Sequence, residues 1–382
     1  MFRTLILYVA VFFLLPAFYL DATLMETGKK SPSYTGKYLS TLRVPIGGLG
    51  AGNILLGGRG QIEHLEIFNH PNRVKKPEKT FFSLWVKQGG QPSVAKVLER
   101  ELLPPFLDIT HRYVNGLPRF REVKFFNAYP FCHLEYFDES VPVDISLEAY
   151  NPFIPLDLDN SSFPMVIFKW TVRNPTSHPV DLSLAFNIKN PIEQRETTNE
   201  FIENELFRGF EFSADPLSPE EQGSVIVATE NPSPTIQTHW YRGRWIDDSH
   251  VFWDDFGDDG QIDPVTEKAV SKRGGENATV LVSKSLQPGE STTISFYLVW
   301  YFPDRIFTPR ETFGIKQAAG VVFSNYYKTL FTSAEDVLET FLNNKEALEK
   351  RTRTFSNTLQ ESSFPAYIID ALTSQMSSLK TH

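Results

Sequence analysis

Seven glycines crowd into positions 47 to 60 (Gly47, Gly48, Gly50, Gly52, Gly57, Gly58 and Gly60), with Ile46, Leu49, Ile54, Leu55 and Leu56 among them. Glycine weakens a strand on entropy grounds. Its density inside an apolar run therefore predicts backbones packed closely or turning with positive φ. A dinucleotide fingerprint would have to open a helix inside a βαβ unit. Gly48-Leu-Gly50-Ala-Gly52 is followed instead by Gln61-Ile-Glu-His-Leu-Glu-Ile-Phe68, which alternates like a half-buried strand. Turn residues Asn69, Pro71 and Asn72 come next, then a second strand-like run from Thr80 to Val86. The stretch reads as a glycine-rich β segment and not as a phosphate cradle.

Strand-like runs recur downstream. Residues 119–126, 131–137 and 143–150 are three of them, and the last alternates strictly, as a strand with one wet face should. Residues 165–172 are almost continuously apolar, Asn174-Pro175 turns, and residues 180–186 alternate again, so these two runs read as a hairpin-like pair. Residues 224–228 and 279–282, a Pro288-Gly289 turn and residues 292–301 complete the series. With 26 prolines, 22 glycines and 14% aromatic residues, the pattern predicts a mainly β fold, a large antiparallel two-sheet β-sandwich. Beyond residue 310 the period changes. Ser333 with Asp336 is an N-cap pattern ahead of Val337, Leu338, Phe341, Leu342, Leu348, Phe355 and Leu359. Pro365 then starts a second helix whose Ile368, Ile369, Leu372, Met376 and Leu379 share one face.

The net charge of −9 argues against a broad nucleic-acid surface. Cys132 stands alone, which excludes an intrachain disulfide and a cysteine-rich zinc site. Arg3 followed by the apolar run of residues 5–20 has the length of a signal peptide, whereas Leu20-Asp21-Ala22 is a poor cleavage site. Residues 1–22 are thus expected to export the chain to the periplasm, cell envelope or exterior, or to anchor it in a membrane if uncleaved. Residues 23–40 read as a polar spacer and residues 41–310 as the sandwich.

The runs VPIGGLGAG, GGRGQIEHLEIFNHPNR and TFFSLWVK resemble the N-terminal region of glycoside hydrolase family 116, which contains β-glucosidases and non-lysosomal glucosylceramidases. Residues 253–260, 299–305, 364–372 and 378–380 resemble it in the same order, so the likeness spans roughly residues 40 to 382. It implies a β-sandwich N-terminal domain acting on a β-glucoside or related carbohydrate through a catalytic (α/α)6 barrel, in cis or on a neighbouring chain. On that expectation residues 311–382 are an α-helical linker and the first helix of a barrel absent from this chain. The family's catalytic Glu and Asp would lie in that barrel. No residue here is assigned a catalytic role, and no cofactor is expected. A stand-alone carbohydrate-binding sandwich of the cell envelope is the alternative.

Two clusters invite chemistry. Asp254, Asp255, Asp258, Asp259 and Asp263 lack the alternating ligand positions and closing Glu of a calcium loop, and read as a solvated hairpin tip. His64, His70 and His111 are each single, without metal-ligand spacing. Trp240, Arg242, Arg244 and Trp245, with Trp253, are the candidate carbohydrate contacts. Flat aromatic faces beside guanidinium donors suit a pyranose ring, although the same aromatics serve equally well in a core.

Overall fold

In the computed structural model of the chain, residues 33–69, 77–102, 116–192, 196–215, 221–243, 247–272, 274–306 and 320–380 are described. Two large sheets carry the fold. The ten-stranded sheet runs, edge to edge, through Ser33–Tyr34, Glu122–Ala128, Phe131–Phe137, Asp144–Tyr150, Met165–Arg173, Ser291–Tyr301, Ser224–Thr229, Arg208–Ala214, Thr197–Glu203 and Ala269–Ser271. The six-stranded sheet runs through Thr235–Gln237, Asn277–Leu286, Val180–Lys189, Phe81–Gln88, Val94–Arg100 and Arg119–Phe120. Pairing in both is antiparallel, save for the short parallel contact between the last two strands of the six-stranded sheet. The expected antiparallel two-sheet sandwich is what forms.

Its core lies between the sheets, where period-2 alternation sends every second side chain inward. Phe82, Leu84, Leu182, Leu184 and Phe186 from one sheet meet Phe168, Trp170, Phe296 and Leu298 from the other. Phe82 stacks on Phe186 at 4.1 Å and meets Phe168 edge-on at 5.0 Å. The apolar continuity of residues 165–172 has its reason in the other face of that strand. Met165 and Ile167 point away from the sandwich and are buried under a helix.

The hairpin expected between residues 165–172 and 180–186 does not form. Met165–Arg173 pairs with Asp144–Tyr150 and Ser291–Tyr301, while Val180–Lys189 pairs with Phe81–Gln88 and Asn277–Leu286. The Asn174-Pro175 turn is therefore an arch from one sheet to the other, and the Pro288-Gly289 turn is a second arch beside it. Asn174, fully buried, joins the two. Its N–H donates to Glu290 O at 2.9 Å, its carbonyl accepts from Gly289 N at 2.8 Å, and its Nδ2 donates to Leu286 O at 3.0 Å.

Three helices complete the described chain: α1 (Asp247–Asp259), α2 (Ala334–Glu361) and α3 (Ala366–Met376). Helix α1 overturns the reading of the acidic cluster as a hairpin tip. Asp254, Asp255, Asp258 and Asp259 lie on its last two turns, where negative charge opposes the helix dipole. What holds α1 is packing, because Phe252 and Phe256, one turn apart, are buried on the outer face of the six-stranded sheet. Helix α2 has the expected N-cap, with Ser333 Oγ accepting from Asp336 N at 3.1 Å. It lays Val337, Leu338, Phe341 and Leu348 across the outer face of the ten-stranded sheet, so the two helices cover opposite faces of the sandwich.

The glycine-rich segment forms a separate three-stranded antiparallel sheet, Arg43–Ile46, Asn53–Gly57 and Ile62–Glu66. Residues 33–40, expected to belong to a polar spacer, are part of the fold: Ser33–Tyr34 pairs with Phe125–Phe126, and Leu39 is fully buried. The N-terminal segment 1–22, residues 23–32 and the boundary near residue 310 lie outside the described residues. Among the described residues no helix is long and apolar enough to cross a membrane.

Replacing Asn174 by Ala should lower stability by about 2–4 kcal/mol, because the buried Leu286 carbonyl loses its donor and the arches lose their link. Urea unfolding checks this. A midpoint unchanged from that of the native chain would show that the arches hold without it.

Candidate functional site

Of the five carbohydrate-contact candidates, Trp240 is in the core. It is 3% exposed, stacks on Phe252 at 4.4 Å with the rings 5° from parallel, and donates from Nε1 to Thr279 Oγ1 at 2.7 Å. Thr279 passes a hydrogen bond to Asn187 Oδ1 at 2.8 Å, and Asn187 donates to Ser83 Oγ at 3.1 Å, so the polar groups beneath α1 satisfy one another. Trp253 is half-buried against the same cluster, 6.0 Å from Phe256. Arg242 pairs with Glu276 at 3.2 Å. Arg244 and Trp245 lie outside the described residues. The structure thus brings Trp240 and Trp253 together as packing, and Trp240 has no face open to a ligand.

A cleft of about 420 Å³ opens beside that cluster, lined by Trp85, Asp181, Leu182, Ser183, Asp259, Gln261, Ser283, Lys284 and Ser285. Strand register explains it. Across three neighbouring strands Trp85, Ser183 and Ser283 stand side by side in one row, and Lys87, Asp181 and Ser285 in the next. The row before these carries Ser83, Ala185 and Leu281, and there Ala185 and Leu281 pack in the aromatic cluster beneath α1. Where the helix ends, small hydroxyl residues replace the apolar ones and leave a depression. Gly260 closes the helix at φ +77°, on the face of the Trp85 ring, where a Cβ would collide with the indole. The floor is organised by a Ser183–Ser283 hydroxyl pair at 2.9 Å, to which Gln261 Nε2 adds a donor 3.2 Å from Ser283 Oγ. Sequence reasoning missed these residues because their juxtaposition depends on which strands pair.

The end of the described chain docks on the glycine-rich segment. Lys380 is buried, donates from Nζ to Gly47 O at 2.6 Å, and lies over the Tyr129 ring at 5.5 Å. Asn53 Nδ2 and Gly50 N reach the backbone of the same segment, and Tyr34 donates to Asp370 at 3.2 Å. Burial pushes the Lys380 amine down from its ordinary 10.5 to about 7, and buried Cys132 beside it, itself pushed up to about 12 by burial, opposes this slightly. Helix α3 meets the fold through Ile369 and Thr373. The single apolar face expected of it is split, for Leu372 and Leu379 remain about half exposed, at 49% and 53%.

Several buried or half-buried glutamates elsewhere are held by cations. Glu99 pairs with Arg119 at 3.2 Å and Arg59 at 3.7 Å, Glu63 with Arg43, and Glu148 with Arg353, which also binds Glu349 at 2.7 Å. A glycosidase pair needs one free acid and one base or nucleophile flanking the sugar, and these ion pairs do not offer it. Among the described residues no group of three His, Cys, Asp or Glu side chains is placed to hold a metal ion. His70 and His111 lie outside them.

The family model described as beta-glucosidase 2, glycosyl-hydrolase family 116 N-term, matches residues 43–348. The chain belongs to glycoside hydrolase family 116. Solved structures resemble this family 116 chain more distantly. A putative kojibiose phosphorylase from the human microbiome is 9% identical over 86% of this chain and 31% of its own, with a TM-score of 0.35. A polysaccharide lyase is 12% identical over 71% and 32%, at 0.31. A GH36 alpha-galactosidase from Geobacillus stearothermophilus is 9% identical over 68% and 40%, at 0.29. The family 116 chain thus spans less than half the length of each, and likeness at this level assigns no activity.

The Lys380 amine is neutral more readily when docked than when free. Docking of residues 366–380 is therefore strongest above the free amine's pKa and weakens as pH falls toward about 7, below which the amine is charged in both states. Hydrogen exchange corrected for intrinsic rate should show this segment better protected at pH 9 than at pH 6, relative to strand 165–173. Lys380→Met should flatten the difference, and equal protection at both pH values in the native chain would contradict the buried amine.

Proposed function

We propose that this family 116 domain is the non-catalytic partner of an (α/α)6 barrel that carries the hydrolytic carboxylates, in the same polypeptide or on a neighbouring chain. The enzyme so formed is of the β-glucosidase or glucosylceramidase type and exported, as the hydrophobic run after Arg3 suggests. The observation that carries the reading is the family match taken with the outward side of α3. Ile369 and Thr373 dock on the domain, while Phe364, Tyr367, Leu372 and Leu379 face away from it, exposed. Large apolar side chains left exposed along one short terminal segment suit an interaction surface. Burying each against a partner stabilises by roughly 1.5–3 kcal/mol. The ion pairs of Glu63, Glu99 and Glu148 support the same division of labour, in which this domain positions and the barrel reacts.

Alone, the chain should hydrolyse aryl β-glucosides no faster than buffer. Turnover abolished by Asp181→Asn or Asp259→Asn would overturn the proposal, because these two carboxylates line the open cleft. The double variant Leu372→Ser, Leu379→Ser should leave the unfolding midpoint of the chain within about 0.5 kcal/mol of native. It should weaken association with a separately expressed family 116 barrel at least tenfold, and unchanged association would remove α3 from the interface.

A further inference from the structure

We infer that the cleft at the C-terminal end of α1 is a binding site for a neutral pyranoside. It stands on the geometry of the cleft and does not rest on the barrel proposal. Its volume of about 420 Å³ falls within the ~300–1,000 Å³ of small-molecule sites and holds one or two sugar rings. The lining is chosen by register. Two sheet rows supply the hydroxyls of Ser183, Ser283 and Ser285 within one patch, and residues 259–261 wall it with a carboxylate and an amide.

Each hydroxyl is one donor and two acceptors, the amide carries both roles, and the carboxylates accept. A ring bearing several adjacent hydroxyls is the ligand that uses such a mixture. The Ser183–Ser283 hydrogen bond and the Gln261 amide preset the polar atoms, which lowers the cost of ordering them on binding. Charge does not favour an anion. Asp181 and Asp259 are matched by Lys284 in the cleft and by Lys87 beside Asp181 in the same row, so an acidic sugar or a phosphate gains no net attraction over a neutral one. An apolar ligand would leave the serines and carboxylates unpaired. The Trp85 ring, covered by Gly260, supplies an apolar edge and no stacking platform, so affinity rests on hydrogen bonds exposed to water and belongs in the millimolar range.

The test is a titration of the full chain with methyl β-glucoside and methyl β-galactoside, followed by NMR at the Gln261 side-chain amide, assigned by its disappearance in Gln261→Ala. Saturable shifts at this amide are expected at millimolar sugar. By calorimetry, Gln261→Ala and Ser283→Ala should each weaken binding about fivefold, the loss of one neutral hydrogen bond. Arg242→Ala, outside the cleft, should leave binding unchanged, and glucuronate should bind no more tightly than the neutral sugars. Gln261 and Ser283 are solvent-exposed, so both variants are expected to fold, which circular dichroism checks. The proposal is overturned by shifts that never saturate, by affinity unaltered in both cleft variants, or by glucuronate binding more tightly than the glucoside. An inactive chain that binds the glucoside here satisfies both proposals. One that binds here yet fails to associate with a barrel sinks only the other.

Discussion

The fold depends on backbone approaching backbone with no side chain between. A Cβ on Gly48 would stand 2.5 Å from Phe163 O, and one on Gly47 would strike the backbone of Gly52 and Asn53. Gly60 lies against the Tyr136 hydroxyl and Leu98 O, at φ +99°. These contacts let one short segment touch the loop at residues 161–163, both large sheets and the last described residues. Leu49 N donates to Ser161 O at 2.7 Å, and Gly47 O receives the Lys380 amine. Any side chain at Gly47 or Gly48 would push apart surfaces that three other parts of the chain share.

Around that junction lies a buried ion network. Arg59, only 6% exposed, donates to Arg100 O at 2.9 Å and faces Glu99, while Gln61 donates to Glu63 at 2.7 Å. Taking such charges out of water is costly, and burial pulls the Arg59 guanidinium down from its ordinary pKa. Its partners from two sheets must therefore stay in register, since losing one would leave a buried charge uncompensated. The same holds where α2 crosses the ten-stranded sheet. There Lys169 meets Glu349 at 2.7 Å, and Arg353 bridges Glu148 and Glu349 above the Phe131 ring. The ten-stranded face is thus closed by a long helix, and the six-stranded face by a short helix that stops before the end of the strands. The cleft follows from that difference in length.

Much of this could be read in the amino acids, because it rests on periodicity. The residues 131–137 strand, the Ser333 cap and the change of period after residue 310 are local patterns, and backbone hydrogen bonding obeys them wherever the segment ends up. The glycine-rich segment was legible as β for the same reason, since the alternation of residues 61–68 left no room for a helix. The arches at Asn174 and Gly289 were not legible. An Asn-Pro turn has the same chemistry whether the chain returns beside its own strand or crosses to the opposite sheet, and long-range pairing alone settles it. Helix α1 escaped notice because Phe252 and Phe256 hold it against Phe81, Trp85 and Val97, from strands far earlier in the chain, while its aspartates argue locally for a loop.

The candidate site divides along the same line. Sequence by itself determined that the chain is a family 116 β-sandwich rich in aromatic residues, because motif order and strand alternation survive without knowledge of partners. Only tertiary structure decided that Trp240 is covered by Phe252, that Ser183 meets Ser283, and that Lys380 loses its water beneath the glycines. Exposure, hydrogen-bond partners and the charge state of an amine are properties of what a residue is packed against, and for Ser183 and Lys380 that packing comes from residues 100 positions or more away in the chain.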